Sequence, residues 1–547
     1  MTRTIDYQAI SKQKREQRAS RIPKEWTLPA HVKLGNNVLD VPATCGLLTA
    51  RELEITGKND AVAIVQKIRA RTYTAEEVTR AFCKRAAIAQ QVSNCLTEIF
   101  FDDAIERSKE LDREQNANPD APLRPLHGLP ISLKDSFRVP GYDSTVGMIC
   151  WANLPDTTYS ALPQLLVDLG AVLYCKTNIA QTMMTADSDN NVFGRTVNPV
   201  SAKLTAGGSS GGEGALIALR GSVLGIGTDV AGNIRIPSIC NGIYGLRTSA
   251  GVVAYAGQRS PVPPGMAGVA AVAGPMATSL RTCEYFMKIM IEAEPWKYDP
   301  SCLHLPWNSC ERVKPSRVGV VLDDGAFTPW PPVRRTMHES VAKLERAGIE
   351  VVHLNLPDVQ EAIVVTHRMY ALDGCKFVQA RLKESGEPQV ESVKRVNLAG
   401  IPSATLEDYF ELNAARSRIQ RTYQNLWQAH KLDAILMPGA STTATPHDEW
   451  GPVNYTALWN FLDYPTVILP TGTVTSTDVA DGLNNAKYGE ADRRNYQLYT
   501  GPSDFQGAAL TVQLVGMQQE DQRLLQIATT IDKILGDQQS QVQNGHR

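Results

Sequence analysis

No two of the ten cysteines are spaced as a CxxC pair. That excludes a thiol–disulfide motif and a zinc knuckle, and scattered thiols of this kind read as reduced residues of a cytoplasmic protein. The nine histidines are equally dispersed. None stands in an HExxH arrangement, so no metal is expected, and nothing else in the chain calls for a cofactor. The opening segment, MTRTIDYQAISKQKREQRASRIP, is polar and charged, so neither a signal peptide nor an anchor is expected there. No apolar run approaches the length of a membrane span. A charge excess is missing too: 55 Lys and Arg stand against 57 Asp and Glu, a net charge of −2, which leaves nucleic acid without an electrostatic footprint. There is no internal repeat and no composition break sharp enough to assert a second domain.

What is present is one unusual stretch, Phe193 to Ser249. It is dense in glycine, serine and threonine but also carries apolar runs that a flexible linker would lack. Its first part, Gly207-Gly208-Ser209-Ser210-Gly211-Gly212, leads into the helical pattern of GALIAL. Two hydroxyls therefore stand on a tight loop that opens into a helix, where backbone N–H groups are free. A second glycine-rich turn, Gly227-Thr228-Asp229-Val230-Ala231-Gly232-Asn233, runs into Ile234-Arg235-Ile236-Pro237. Upstream, the run Leu129 to Leu133 reads as a strand ending on Lys134. A lysine drawn inward by such a run loses its proton more readily, and a neutral amine can accept one.

Around these motifs the chain alternates strand and helix patterns. Residues 6–21 read as an exposed helix that could pack on the body or mediate self-association, so a homodimer is one expected assembly. Thr74 and Glu77 suit a capping box. A solvated helix is expected over 103–115, another over 161–169, and a buried strand over 171–175. Gly and Pro dominate from Ser249 to Met276, which reads either as a connecting loop or as a channel wall. Arg317 to Leu322 and Ile349 to Leu354 suit strands flanking a helix around 333–347. A helical stretch runs over 359–428, and late strands fall at 433–437 and 466–469. The alternation predicts an α/β fold, a single large domain with a mixed or mainly parallel central sheet covered by helices. An N-terminal helical arm and linker would occupy 1–60 and the body 61–540.

The pattern GGSSGG, a short helix, then GTDVAGNIRIP, with the GLPISLKD strand upstream, resembles the amidase signature family, in its acetamidase and fatty acid amide hydrolase branch. The likeness extends more weakly from about Thr74 onward. What it implies is a Ser–Ser–Lys relay working on a carboxamide or other C–N bond of a small molecule. Lys134 would be the base and Ser209 the bridging serine, held after a cis Gly208–Ser209 peptide. The backbone N–H groups of Val230, Ala231, Gly232 and Asn233 would form the oxyanion hole. Met183 and Ser210 would line the site, and Asp229 and Arg235 would support it, as a buried pair.

One part departs from the family pattern. The nucleophile falls 24 residues after the bridging serine, and that position holds Asn233. A carboxamide nitrogen is delocalised into its carbonyl and makes a poor nucleophile. Asn233 would crowd the oxyanion hole, where its own carbonyl would mimic a bound substrate. Three readings follow: an enzyme whose hydrolysis is weak or replaced by a non-hydrolytic biosynthetic step, a catalytically inactive pseudoamidase that binds an amide or acyl ligand, or a Ser-to-Asn substitution introduced by engineering.

Overall fold

The chain is seen here as a computed structural model that describes residues 6–308 and 314–536. Thirteen strands occur among them: β1 (Leu96–Ile99), β2 (Pro130–Lys134), β3 (Val172–Thr177), β4 (Val197–Asn198), β5 (Ser201–Thr205), β6 (Leu224–Asp229), β7 (Tyr244–Arg247), β8 (Val272–Ala277), β9 (Arg317–Val320), β10 (Glu350–His353), β11 (Ala434–Pro438), β12 (Thr466–Thr473) and β13 (Ala509–Val515). Eleven build one sheet in the order β1-β3-β2-β6-β8-β7-β12-β13-β11-β9-β10, while β4 and β5 pair apart from it. The sheet is mixed, as expected. Pairs β2–β3, β2–β6, β9–β11 and β9–β10 run parallel. The other six are antiparallel.

Both faces of the sheet are buried, which is why its strands read as apolar runs rather than as alternations. Successive residues of β11 show this directly. Ala434 and Leu436 join the largest apolar cluster, with Leu133, Ile226, Leu246, Val467 and Leu514. Ile435 and Met437 join a second cluster with Tyr423, Trp459 and Phe461. Because side chains alternate sides along a strand, the two clusters lie on opposite faces. Helices supply the covering layers.

The expected helices at 161–169 and 333–347 are present as Ala161–Asp168 and Pro331–Arg346. The 103–115 helix spans Phe101–Ala117 and buries Phe101, Ala104, Ile105 and Leu111, so it is solvated on one side only. Thr74 caps its helix by accepting from the Glu77 N–H at 3.0 Å, but the reciprocal half of the box is absent: the Glu77 carboxylate pairs with Arg51 at 2.7 Å instead. The stretch 359–428 holds four α-helices, Val359–Tyr370, Lys376–Ser385, Glu391–Val396 and Leu406–His430, with one turn of 3-10 helix, Leu398–Gly400, before the last. Gly386, at φ 66°, ends the second. The Gly- and Pro-rich stretch after Ser249 does not stay a loop as far as Met276: Val272–Ala277 is β8, paired along its length with β6.

The N-terminal helix Tyr7–Ser20 packs on the body, one of the two placements expected of it. Its outer side is exposed and its inner side docked; the residues buried there are polar, Ser11, Lys14 and Arg18, with Tyr7 and Ile10 half-buried beside them. Lys14 Nζ pairs with Glu98 at 2.5 Å and Asp143 at 2.7 Å. Arg18 Nη1 donates to the Leu96 carbonyl at 2.7 Å. Among the described residues no helix is long and apolar enough to cross a membrane.

Candidate active site

Three elements converge where the parallel strands β2 and β6 end. Strand β2 delivers Lys134, its last residue, into the interior with no exposure. Lys134 Nζ donates to Ser209 Oγ at 2.7 Å and to Thr228 Oγ1 at 2.8 Å. Burial lowers its pKa from 10.5 to about 7, opposed first by the negative charge of Asp229. A large fraction of the side chain is therefore a neutral amine near neutral pH.

The Ser209 loop lies above the end of β2. The Gly208–Ser209 peptide is cis, as the resemblance implied. Ser188 Oγ fixes the loop, donating to the carbonyls of Gly207 at 2.9 Å and Ser209 at 3.2 Å and accepting from the Gly211 N–H at 2.8 Å. Ser210 is fully buried beside Ser209, and its hydroxyl has no hydrogen-bond partner among the described residues.

The third element is the turn after β6, organised by Asp229. Its carboxylate accepts from the N–H groups of Gly232 at 2.8 Å and Ile234 at 3.1 Å. It is also gripped by Arg235 through Nε and Nη2, both at 3.1 Å, and by Asn460 Nδ2 at 2.8 Å. Neither partner of the ion pair is exposed. Burial alone would raise the Asp229 pKa, but the Arg235 guanidinium and Asn460 hold it well below the usual carboxylate range. Gly232 is at φ 116°, and a Cβ there would stand 2.4 Å from Thr456 Oγ1, so only glycine fits.

Two side chains from the distant half of the chain aim this turn. Tyr370 donates to the Val230 carbonyl at 2.6 Å, and Thr456 donates to the Ala231 carbonyl at 2.6 Å. A trans peptide points its C=O and N–H oppositely. Tyr370 therefore turns the Ala231 N–H toward Asn233, and Thr456 turns the Gly232 N–H toward Asp229. Val230 and Ala231 both donate to Asn233 Oδ1, at 3.3 Å and 3.2 Å. The Gly232 N–H is spent on Asp229.

The Asn233 carboxamide is thus held at both ends. Its oxygen faces two backbone donors, and its Nδ2 donates to Ser209 Oγ at 3.0 Å and to the Met183 carbonyl at 3.3 Å. Turned over, the amide would put its NH2 against two N–H donors and its oxygen against a carbonyl, so the network admits only this orientation. Met183 meets the site through its backbone, while its side chain packs near Val146, Met148 and Ala371.

The structure brings Lys134, Ser209, Val230, Ala231, Asn233 and Met183 into hydrogen-bonded continuity, with Ser210 and Gly232 alongside. Sequence reasoning missed Thr228, although it sits inside the second glycine motif, and Glu213. It did not single out Tyr370 either. No local signal marks Tyr370, because its role depends on a contact 140 residues away in the chain.

A hydroxyl between a buried lysine and a pair of aimed backbone donors, at the strand ends of an α/β sheet, defines a class of acyl-group chemistry. The amidase family profile matches residues 77–525, and the chain belongs to that family. It is similar to an acetamidase of Emericella nidulans, 36% identical over 551 residues that cover 97% of this chain and 98% of the relative. An amidase of Gibberella moniliformis is 34% identical over 539 residues, 96% and 98% of the two chains. Among solved structures, a fatty acid amide hydrolase superimposes with a TM-score of 0.93 at 32% identity, covering 97% of this chain and 95% of that one.

Proposed function

We propose that this chain is an amidase-family enzyme acting on a C–N bond of a small molecule, with Asn233 standing in the place of the serine nucleophile. Lys134 is then the base and Ser209 the proton carrier. The N–H groups of Val230 and Ala231 are the oxyanion hole, and Met183, Ser210 and Gly232 shape the wall. Ordinary hydrolysis is weak in such a site, or is replaced by a non-hydrolytic biosynthetic step. The body at 61–540 carries the site and residues 1–60 form an arm. We place the protein in the cytoplasm, with a homodimer as one candidate assembly.

The observation that carries this reading is the position of one carboxamide, with its oxygen on the Val230 and Ala231 N–H groups and its nitrogen 3.0 Å from Ser209 Oγ. A serine at that position would place a hydroxyl next to Ser209, which Lys134 already contacts. The test is amide hydrolysis, and labelling by a serine-directed fluorophosphonate, in the chain as it stands and in Asn233→Ser. Loss of a hydrolase nucleophile leaves roughly 10³–10⁴-fold catalysis over water. Asn233→Ser is therefore expected to gain about 10³-fold or more in amide hydrolysis and to become labelled, and adding Lys134→Ala to abolish both. Ordinary amidase rates with a covalent acyl-enzyme in the unaltered chain would overturn the assignment of position 233.

A second reading, a pseudoamidase that binds an amide or acyl ligand without turnover, is favoured by the same carboxamide. It already occupies both N–H donors, leaving neither for an external carbonyl. Amide binding by both chains, with turnover by neither, is its signature.

A further inference from the structure

The Asn233 side chain meets every contact that a primary amide substrate would make in a site of this kind. Its carbonyl oxygen lies on two aimed N–H donors, where negative charge would develop. Its nitrogen, the leaving group, lies 3.0 Å from Ser209 Oγ, which is 2.7 Å from Lys134 Nζ. Asn233 is 6% exposed, and Met183, Val230 and Ala231 beside it are half-buried, so the amide lies near the edge of the buried interior rather than deep within it.

We propose that Asn233 is a substrate of its own site and is hydrolysed there to aspartate, an inference that rests on the reading of position 233 given above. Water adds its oxygen to Cγ, and its proton passes through Ser209 to the neutral amine of Lys134. The electron pair of the C=O bond moves onto Oδ1, where the N–H groups of Val230 and Ala231 hold the oxyanion. As that intermediate collapses the Cγ–Nδ2 bond breaks. The proton returns from Lys134 through Ser209 to the nitrogen, and ammonia leaves. One carboxamide and one water give one carboxylic acid and one ammonia, with no change in oxidation state. Holding amide, relay and oxyanion donors together in one chain replaces the binding step of an external substrate by permanent proximity.

The ordinary non-enzymatic route to the same product is closed by geometry. It requires the backbone nitrogen of the following residue to attack Cγ, but the Ile234 N–H donates to Asp229 Oδ2 at 3.1 Å and is anchored there. The two routes also leave different products, because a cyclic imide opens to a mixture of aspartate and isoaspartate, whereas direct hydrolysis gives aspartate alone.

The experiment is peptide mass spectrometry of the purified full chain, followed over days of incubation in heavy-oxygen water. The peptide that carries residue 233 is expected to gain about 1 Da per converted chain, the exchange of NH2 for OH, plus the solvent label. The product is expected to contain no isoaspartate. Lys134→Ala and, separately, Ser209→Ala should each slow conversion at least tenfold, with thermal melts confirming that both are folded. Residue 233 remaining an amide throughout overturns the proposal. So does an aspartate–isoaspartate mixture formed at the same rate in the Ser209→Ala chain. A loss of about 17 Da with residues 209 and 233 cross-linked, the mark of an ester made by Ser209 itself, overturns the water route. Failure here is separable from failure of the functional reading. An unconverted amide beside an active Asn233→Ser enzyme sinks only this proposal, whereas conversion beside an inert Asn233→Ser chain upholds it and sinks the assignment of the nucleophile's place.

Discussion

Glu213 lies one helical turn past Ser209, with no exposure, and accepts from Ser132 Oγ at 2.7 Å. It can sit there because Gly225 of β6 leaves the space open; a Cβ at that glycine would stand 2.0 Å from Glu213 Oε2. Burial raises the Glu213 pKa from 4.5 to about 8, against the hydrogen bond from Ser132 and the pull of Lys134, so the folded protein keeps this carboxyl protonated at neutral pH. The sign of the consequence follows by linkage. Between pH 4.5 and about 8 the unfolded chain has released a proton that the folded chain still holds, so this group's contribution to stability is full below 4.5 and falls as pH rises. Lys134 acts oppositely, but only above about 7, where the unfolded chain holds a proton that the folded one lacks. Below 7 the slope from Glu213 stands clear of Lys134. Glu213→Gln keeps an acceptor for Ser132 and removes the titration, so its stability relative to the unaltered chain, from urea melts at pH 5, 6 and 7, should improve as pH rises. A difference that stays flat or declines would show that Glu213 ionises normally. At this scale the sequence was informative where residues stood in a motif, as Lys134, Ser209 and Asn233 do. It was silent on Glu213 because a glutamate on a short helix looks solvent-facing until the strand glycine opposite it is placed.

The N-terminal helix shows the same limit one level up. Its extent was legible: Asp6 caps it, accepting from the Gln8 and Ala9 N–H groups, and nothing in Tyr7–Ser20 breaks a helix. Its attachment was not, because the residues at helical spacing on the buried side are Ser11, Lys14 and Arg18, and a search for an apolar stripe passes over them. The helix docks through a buried charge cluster, with Tyr7 and Ile10 packed beside it on Ile149, Val192 and Phe193. Lys14 Nζ stands between Glu98 and Asp143, all three side chains under 5% exposed. Burial alone would lower the Lys14 pKa, but the two carboxylates outweigh it and raise it. Removing one member of such a group leaves its partners buried without compensation, which typically costs about 3–5 kcal/mol. Lys14→Ala is therefore expected to destabilise the fold by roughly that amount in chemical denaturation, even though Arg21 still reaches Glu98 at 2.7 Å. A loss below about 1 kcal/mol, the range of exposed ion pairs, would mean that the helix is held mainly by other contacts.

Across the whole molecule, βα alternation predicted the fold class, and the mixed character of the sheet followed. The strand order could not be read. Strands β1, β6, β7, β8 and β13 stand where the sequence reading expects none, because four are interrupted by glycine or only four residues long, and pairing partners far along the chain complete them. Those pairings tie the two halves together: β7 pairs with β8 on one side and with β12 on the other. One sheet crossing the whole body should unfold as a unit, so calorimetry is expected to give a single endotherm, with near-ultraviolet and far-ultraviolet circular dichroism melting together. Two separated transitions would place a boundary where the sheet has none. The strand order also bears on how the protein is made. β13 lies between β12 and β11, hydrogen-bonded to both, and the ribosome makes it after either of them. Until residues 509–515 emerge, the nascent chain carries two finished strands with open edges facing a gap that nothing yet synthesised can fill, and unpaired edges of that kind recruit strands from other chains. Crowded polysomes, rather than the mature fold, are where those edges stand open to neighbouring chains.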